Sequence, residues 1–169
     1  ESIAGCLGEA ASANPDCLPR LIRAVELYQD HFLSGFSLKD APEFDEWAFF
    51  QVEGLRRDLA QALEALMRHY LEGEARAALP FARRWLSLDT LNEAAHRGLM
   101  LAYEGAGQHA AALRQYEECA RLLQEELGAS PSAETASLYE QIKHGGVNKE
   151  ERTAPPPSPV ARLQAAPLA

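Results

Sequence analysis

No apolar run in this chain approaches the roughly 20 residues that a helix needs to span a bilayer, so no membrane-spanning helix is predicted. The opening segment, Glu1 to Ala11, has no basic flank and only a short apolar stretch, which argues against a signal peptide. An initiator methionine is also missing, so the chain reads as an excerpt or a processed product. Cysteine is scarce: Cys6, Cys17 and Cys119 form an odd set without a C-x-x-C pair. A Cys6–Cys17 disulfide is one alternative, but the expectation is buried or idle thiols in a reducing cytosol. The five histidines are scattered, with neither an H-E-x-x-H motif nor zinc-ligand spacing beside a cysteine pair. No metal and no cofactor are therefore expected.

Positive charge is in short supply as well. Sixteen Lys and Arg against 25 Asp and Glu leave a net charge of −9, a poor match for a phosphate backbone. The pairs Arg56-Arg57 and Arg83-Arg84 have acidic neighbours and read as solvated helix faces. Direct DNA binding by this chain is not expected. No nucleophile–base pairing, phosphate loop or metal cluster points to an enzyme either. One polar constellation, Glu93, His96 and Arg97, has the three- and four-residue spacing that supports a helix locally.

What the chain does have is helix-forming residues and a repeat. Hydrophobic residues make up 47%, and alanine, leucine, glutamate and arginine dominate. Gly73 and Gly107 lie 34 positions apart, and at the same offset Ala78-Leu79 falls on Ala112-Leu113, Leu66 on Met100 and His69 on Tyr103. That period is the length of a tetratricopeptide repeat, a helix pair that stacks on its neighbours. The predicted fold is all-α, with antiparallel helix pairs stacked as a right-handed superhelix.

Asn14-Pro15 is expected to start the first helix, with Leu18, Leu21, Ile22, Val25 and Tyr28 on its apolar face. The loop 31–42 carries Phe32, Leu33, Phe36 and Leu38, which should be pinned against the helices. A long helix over roughly 43–72 follows, striped by Ala48, Val52, Leu55, Leu59, Leu63, Leu66 and Tyr70 and interrupted only by Gly54. Phe44, Trp47 and Phe50 widen the stripe and are expected to pack in the core. Helices at roughly 75–88, 91–105 and 109–127 come next. Thr90 and Glu93 suggest a capping box, and Gly128 a left-handed stop. Ser130-Pro131 caps a last helix through about Lys143, which Gly145-Gly146 should break. The proline-rich remainder favours extended geometry. Three units follow: a connecting segment over 1–14, a helical domain over 15–144 and a disordered interdomain linker over 145–169.

The blocks Ala24-Val25-Glu26-Leu27-Tyr28, Phe32-Leu33-Ser34-Gly35-Phe36 and Phe44-Asp45-Glu46-Trp47 resemble the bacterial transcriptional activator domain. So do Glu93 to Met100, Gly107, Ala112-Leu113, Tyr116-Glu117-Glu118-Cys119 and Glu126 to Ser132, so that the likeness covers roughly 15–143. One departure is Thr90, where such domains usually have proline after the aspartate. The resemblance implies a cytoplasmic transcriptional regulator of the antibiotic regulatory (SARP) type. In such proteins this domain follows a DNA-binding winged helix and mediates dimerisation or contacts within the regulator. The winged helix is absent from this chain. Expected partners are other domains of the regulator, a second copy or the transcription machinery, with no membrane. A free-standing tetratricopeptide adaptor is the alternative. Repeat geometry places Leu63, Met67, Tyr70, Arg97, Leu101 and Glu104 on the concave side as a candidate protein-interaction surface. The rival expectation is that helices before residue 58 fold back and fill that groove.

Overall fold

The stripe of apolar residues in the long helix decides the architecture. A computed structural model of the chain describes residues 4–6, 17–28, 33, 35, 36 and 38–153. A 3-10 turn, Ala4–Cys6, precedes six α-helices among these residues. They are α1 Cys17–Leu27, α2 Pro42–Gly73, α3 Ala75–Leu88, α4 Glu93–Gly105, α5 His109–Leu127 and α6 Ala133–Thr153. The fold is all-α, with each helix packed on its neighbour in the manner of tetratricopeptide pairs. None of the helices, among the described residues, is long and apolar enough to cross a membrane.

Leu59, Ala62, Leu63, Leu66 and Met67 of α2 are buried in one core with Leu21 and Val25 of α1, Ala78, Leu79, Ala82 and Trp85 of α3, and Ala95, Leu99 and Ala102 of α4. A second, smaller core holds Met100, Ala112 and Ile142 together with Leu138, Tyr116 and Tyr139. The small residues at the repeat positions, Ala78 and Ala112, are fully buried. Helices also approach closely at Gly105, where an added Cβ would lie 2.5 Å from that of Ala75. The two repeat glycines are not equivalent, however. Gly107 takes a left-handed φ of 74° at its turn, whereas Gly73 is the last residue of α2 and the turn falls at Glu74. Gly128 ends α5 with φ 63°, as its position in the sequence suggests.

Three local expectations give way to other solutions. Cys6 and Cys17 are joined in a disulfide, both buried in the main core. An 11-residue separation and a shared apolar wall bring the sulfurs together, which spacing alone does not reveal. Asn92, not Thr90, caps α4, accepting the Ala95 amide at 3.1 Å. Helix α6 continues through Gly145-Gly146 to Thr153, since each glycine costs a helix only about 1 kcal/mol and forbids nothing. The Asn14-Pro15 start and residues 154–169 of the expected linker lie outside the described residues.

Three of the four paired arginines, Arg56, Arg83 and Arg84, are structural rather than merely solvated. Arg84 of α3 donates to the Val25 carbonyl at 2.8 Å and to that of Tyr28, closing the end of α1. Arg56 of α2 likewise donates to the Leu88 carbonyl at the end of α3. Unpaired carbonyls gather at a helix C-terminus, and a cation there also opposes the negative end of the dipole. Arg83 donates to the Tyr103 hydroxyl at 3.2 Å.

A methyl group at Gly54 would meet nothing within 4 Å. Replacing it should therefore give only the backbone-entropy gain. Gly54→Ala is expected to raise unfolding stability by about 0.5–1 kcal/mol, measured by urea titration, with no change in quaternary state.

Candidate interaction site

The six sequence-derived surface residues fare differently. Leu63 and Met67 are buried in the main core, and the Met67 side chain lies against Gly98, whose added Cβ would sit 3.0 Å from its methyl. Tyr70 is half-buried and stacks on Phe81 of α3, with ring centroids 5.3 Å apart. Glu104 accepts a hydrogen bond from His109 Nδ1 at 2.9 Å, linking α4 to the start of α5. Arg97 donates to Thr135 Oγ1 at 3.0 Å and pairs with Glu134 at 3.0 Å, so α6 covers it. Leu101 remains exposed. The residues therefore do not form one continuous surface.

The Glu93–His96–Arg97 constellation is more than local helix support. Glu93 and Arg97 both reach the start of α6, and His96 reaches the α3–α4 corner and α5. The Glu93 carboxylate accepts from Thr135 Oγ1 at 2.6 Å, Ser132 Oγ at 2.7 Å and the Ser132 amide at 2.8 Å, fastening the start of α6. His96 is fully buried. A carbonyl can only accept, so its Nε2 donates to Thr90 O at 3.0 Å, and Nδ1 takes the Gln115 amide proton at 2.7 Å. These bonds cross between helices, and no spacing rule within a single helix would show them.

An open pocket of about 430 Å³ lies between the middle of α2 and the α3–α4 corner, lined in part by Glu53, Arg56, Arg57, Trp85 and Asp89. Its polar groups are largely committed to the fold. Arg56 holds the Leu88 carbonyl and lies 3.9 Å from Glu53, while Asp89 accepts the Leu91 amide at 3.0 Å. The arrangement supports structure and offers no convergent acid–base pair.

The sequence reading misplaced the aromatics of α2. Helix α3, with 14 residues, faces only part of the 32-residue α2, and none of residues 42–58 is buried. Trp47 and Phe50 are exposed instead of packed in the core, as is Phe49 between them, and Phe44 is only half-buried. Phe36 of the preceding loop touches Phe44 edge-on at 5.6 Å, yet it too stays exposed with Leu38. Phe32 lies outside the described residues. Periodicity marked the stripe correctly but carried no signal of how far the partner helix extends.

Burial alone would raise the Glu93 carboxyl, but the hydrogen bonds from Thr135 and Ser132, aided by the Arg97 charge, outweigh it and hold the group below its ordinary 4.5. A depressed folded value means that Glu93 stabilises the fold above about pH 4.5 and loses this contribution as pH falls through the folded value. Glu93→Gln should lower stability at pH 7 by about 1–3 kcal/mol and flatten the acid limb of the stability–pH curve. Thermal melts between pH 3 and 7 check both.

Burial, reinforced by the Glu93 charge and opposed by Arg97, pushes the Cys119 thiol up to about 11. At neutral pH it is a protonated, inaccessible group. Iodoacetamide should label Cys119 only after denaturation, a result read by intact mass.

Comparison with curated proteins and with solved structures gives no match. Comparison with protein families matches residues 8–143 to the bacterial transcriptional activator domain. The match takes in α1 to α5 and the first half of α6, including the Glu93 anchor and the exposed half of α2. On that evidence of sequence and helix order, the chain belongs to the bacterial transcriptional activator domain family.

Proposed function

We propose that this chain is the regulatory protein-interaction and oligomerisation domain of a bacterial, SARP-type transcriptional regulator. The winged-helix DNA-binding half of that regulator lies outside the chain, and this domain carries no catalysis. The observation that carries the reading is the family match over residues 8–143. A stack of helix pairs suits the role, because it presents extended surfaces built from several helices. The net charge of −9 favours protein partners over a phosphate backbone. Partners are other domains of the regulator, a second copy or the transcription machinery.

The regulator acts in the cytoplasm, where its promoter is. Burial of Cys6 and Cys17 then shields their disulfide from the reducing thiol pool, since exchange needs access to a sulfur. Of the candidate contact residues, Leu101 is free to meet a partner directly, with Tyr70, Arg97 and Glu104 contributing what their internal contacts leave exposed.

Leu101→Glu tests the role in the full regulator. The variant should fold normally by circular dichroism and assemble or activate transcription about tenfold less well. Unchanged sedimentation and promoter output would count against this role for Leu101. The isolated chain should give no low-salt mobility shift with mixed duplexes, and tight, salt-sensitive binding would refute the division of labour.

A further inference from the structure

The exposed half of α2 has a composition that selects its partner. Trp47 is 47% exposed, Phe36 55%, and Phe49 and Phe50 61% each. Together the four rings expose on the order of 400 Å² of largely apolar surface, in two clusters: Phe36 meets Phe44 and Phe44 meets Trp47, while Phe49 meets Phe50. Exposed apolar area of this size is typical of interaction sites. Leu38 and Leu55 are exposed beside them in sequence. The helix continues to the buried Leu59–Met67 stretch, so this half extends from a rigid base.

Charge decides what can lie on it. Residues 36–55 contain Asp40, Glu43, Asp45, Glu46 and Glu53 against a single base, Lys39. Glu53 faces Arg56 at 3.9 Å, whereas Glu43, Asp45 and Glu46 have no ion-pair partner among the described residues. Glu43 and Asp45 lie in the first turn, where the helix dipole favours them. Glu46 lies beyond that turn, so the dipole does not account for the whole cluster. A second copy laid on this face would bring two acidic clusters together, and like charges across an interface disfavour docking.

We propose that the first half of α2 is a docking surface for a basic amphipathic protein segment. Apolar side chains of the partner cover Phe49, Phe50 and Phe36, while its lysines or arginines meet Glu43, Asp45 and Glu46. This is the helix-in-groove or helix-on-helix mode of recognition, with aromatic anchors and a charged rim. It rests on the interaction role proposed above and supplies the chemistry of the partner.

The test titrates the chain with a labelled Lys/Leu amphipathic peptide of about 18 residues and with its Glu/Leu counterpart, following anisotropy. The wild-type chain should bind the basic peptide only. Phe49→Ser with Phe50→Ser, both at exposed positions, should weaken binding by at least about tenfold. Glu43→Lys, Asp45→Lys and Glu46→Lys together should do the same and admit the acidic peptide. A control with the same charge change elsewhere, Glu72→Lys, Glu117→Lys and Glu126→Lys, should stay within about twofold of wild type. Circular dichroism confirms folding, and the serine pair carries the test if the lysine triple does not fold.

Equal binding of both peptides, or equal losses in the control, would overturn the proposal. So would a concentration-dependent dimer abolished by the serine pair, because a second copy would then own the face. Such a result, with Leu101→Glu still impairing the full regulator, would remove this surface and leave the interaction role standing.

Discussion

The buried stretch of α2 from Leu59 to Met67 is the constraint on which the rest of the molecule depends. Its side chains join a core with residues of α1, α3 and α4, and α2 packs against all three of those helices. Its alanine, Ala62, and the small residues Ala78, Ala82, Ala95 and Ala102 let the surrounding helices approach, and the leucines fill what remains. Arginines then close the helix ends around this core from the outside, Arg84 at α1 and Arg56 at α3. The stack is thus apolar at its centre and cation-capped at two of its corners.

Much of this was legible in the sequence. Helix bounds from α2 to α5 fall within about two residues of those read from periodicity and glycine positions, because both signals act locally. The family resemblance, carried by blocks spread over most of the chain, agrees with the match over residues 8–143. Apart from the Asn92 cap and the run of α6 through its glycines, which are local, what escaped the sequence has a common physical origin. A cation on a distant carbonyl and a carboxylate clasping another helix are contacts between residues far apart in the chain, and the disulfide, though only 11 residues apart, depends on the same folding together of elements. Glu93 and Ser132 are 39 positions apart, and Arg84 and Val25 are 59 apart.

The candidate surface shows the same limit at the level of function. Repeat geometry placed Leu63, Met67 and Arg97 on a concave side, but Leu63 and Met67 are buried and α6 covers Arg97. The aromatics read as core stand in the open because α3 has fewer than half the residues of α2. Amphipathicity told which stripe is apolar. It could not tell whether this chain or another molecule covers it.

The division into two cores has a consequence for how the fold opens. Among the described residues, helix α6 contributes no buried residue to the main core; its Ile142 belongs to the smaller one with Met100 and Ala112. Tyr103 flanks both. The amides of α6 can therefore exchange with solvent through detachment of that helix alone, while those around Leu63 and Leu66 wait for global unfolding. The end of the stack is latched by the Glu93 carboxylate, the Arg97 guanidinium and a pair of stacked tyrosine rings, Tyr116 and Tyr139, 4.2 Å apart.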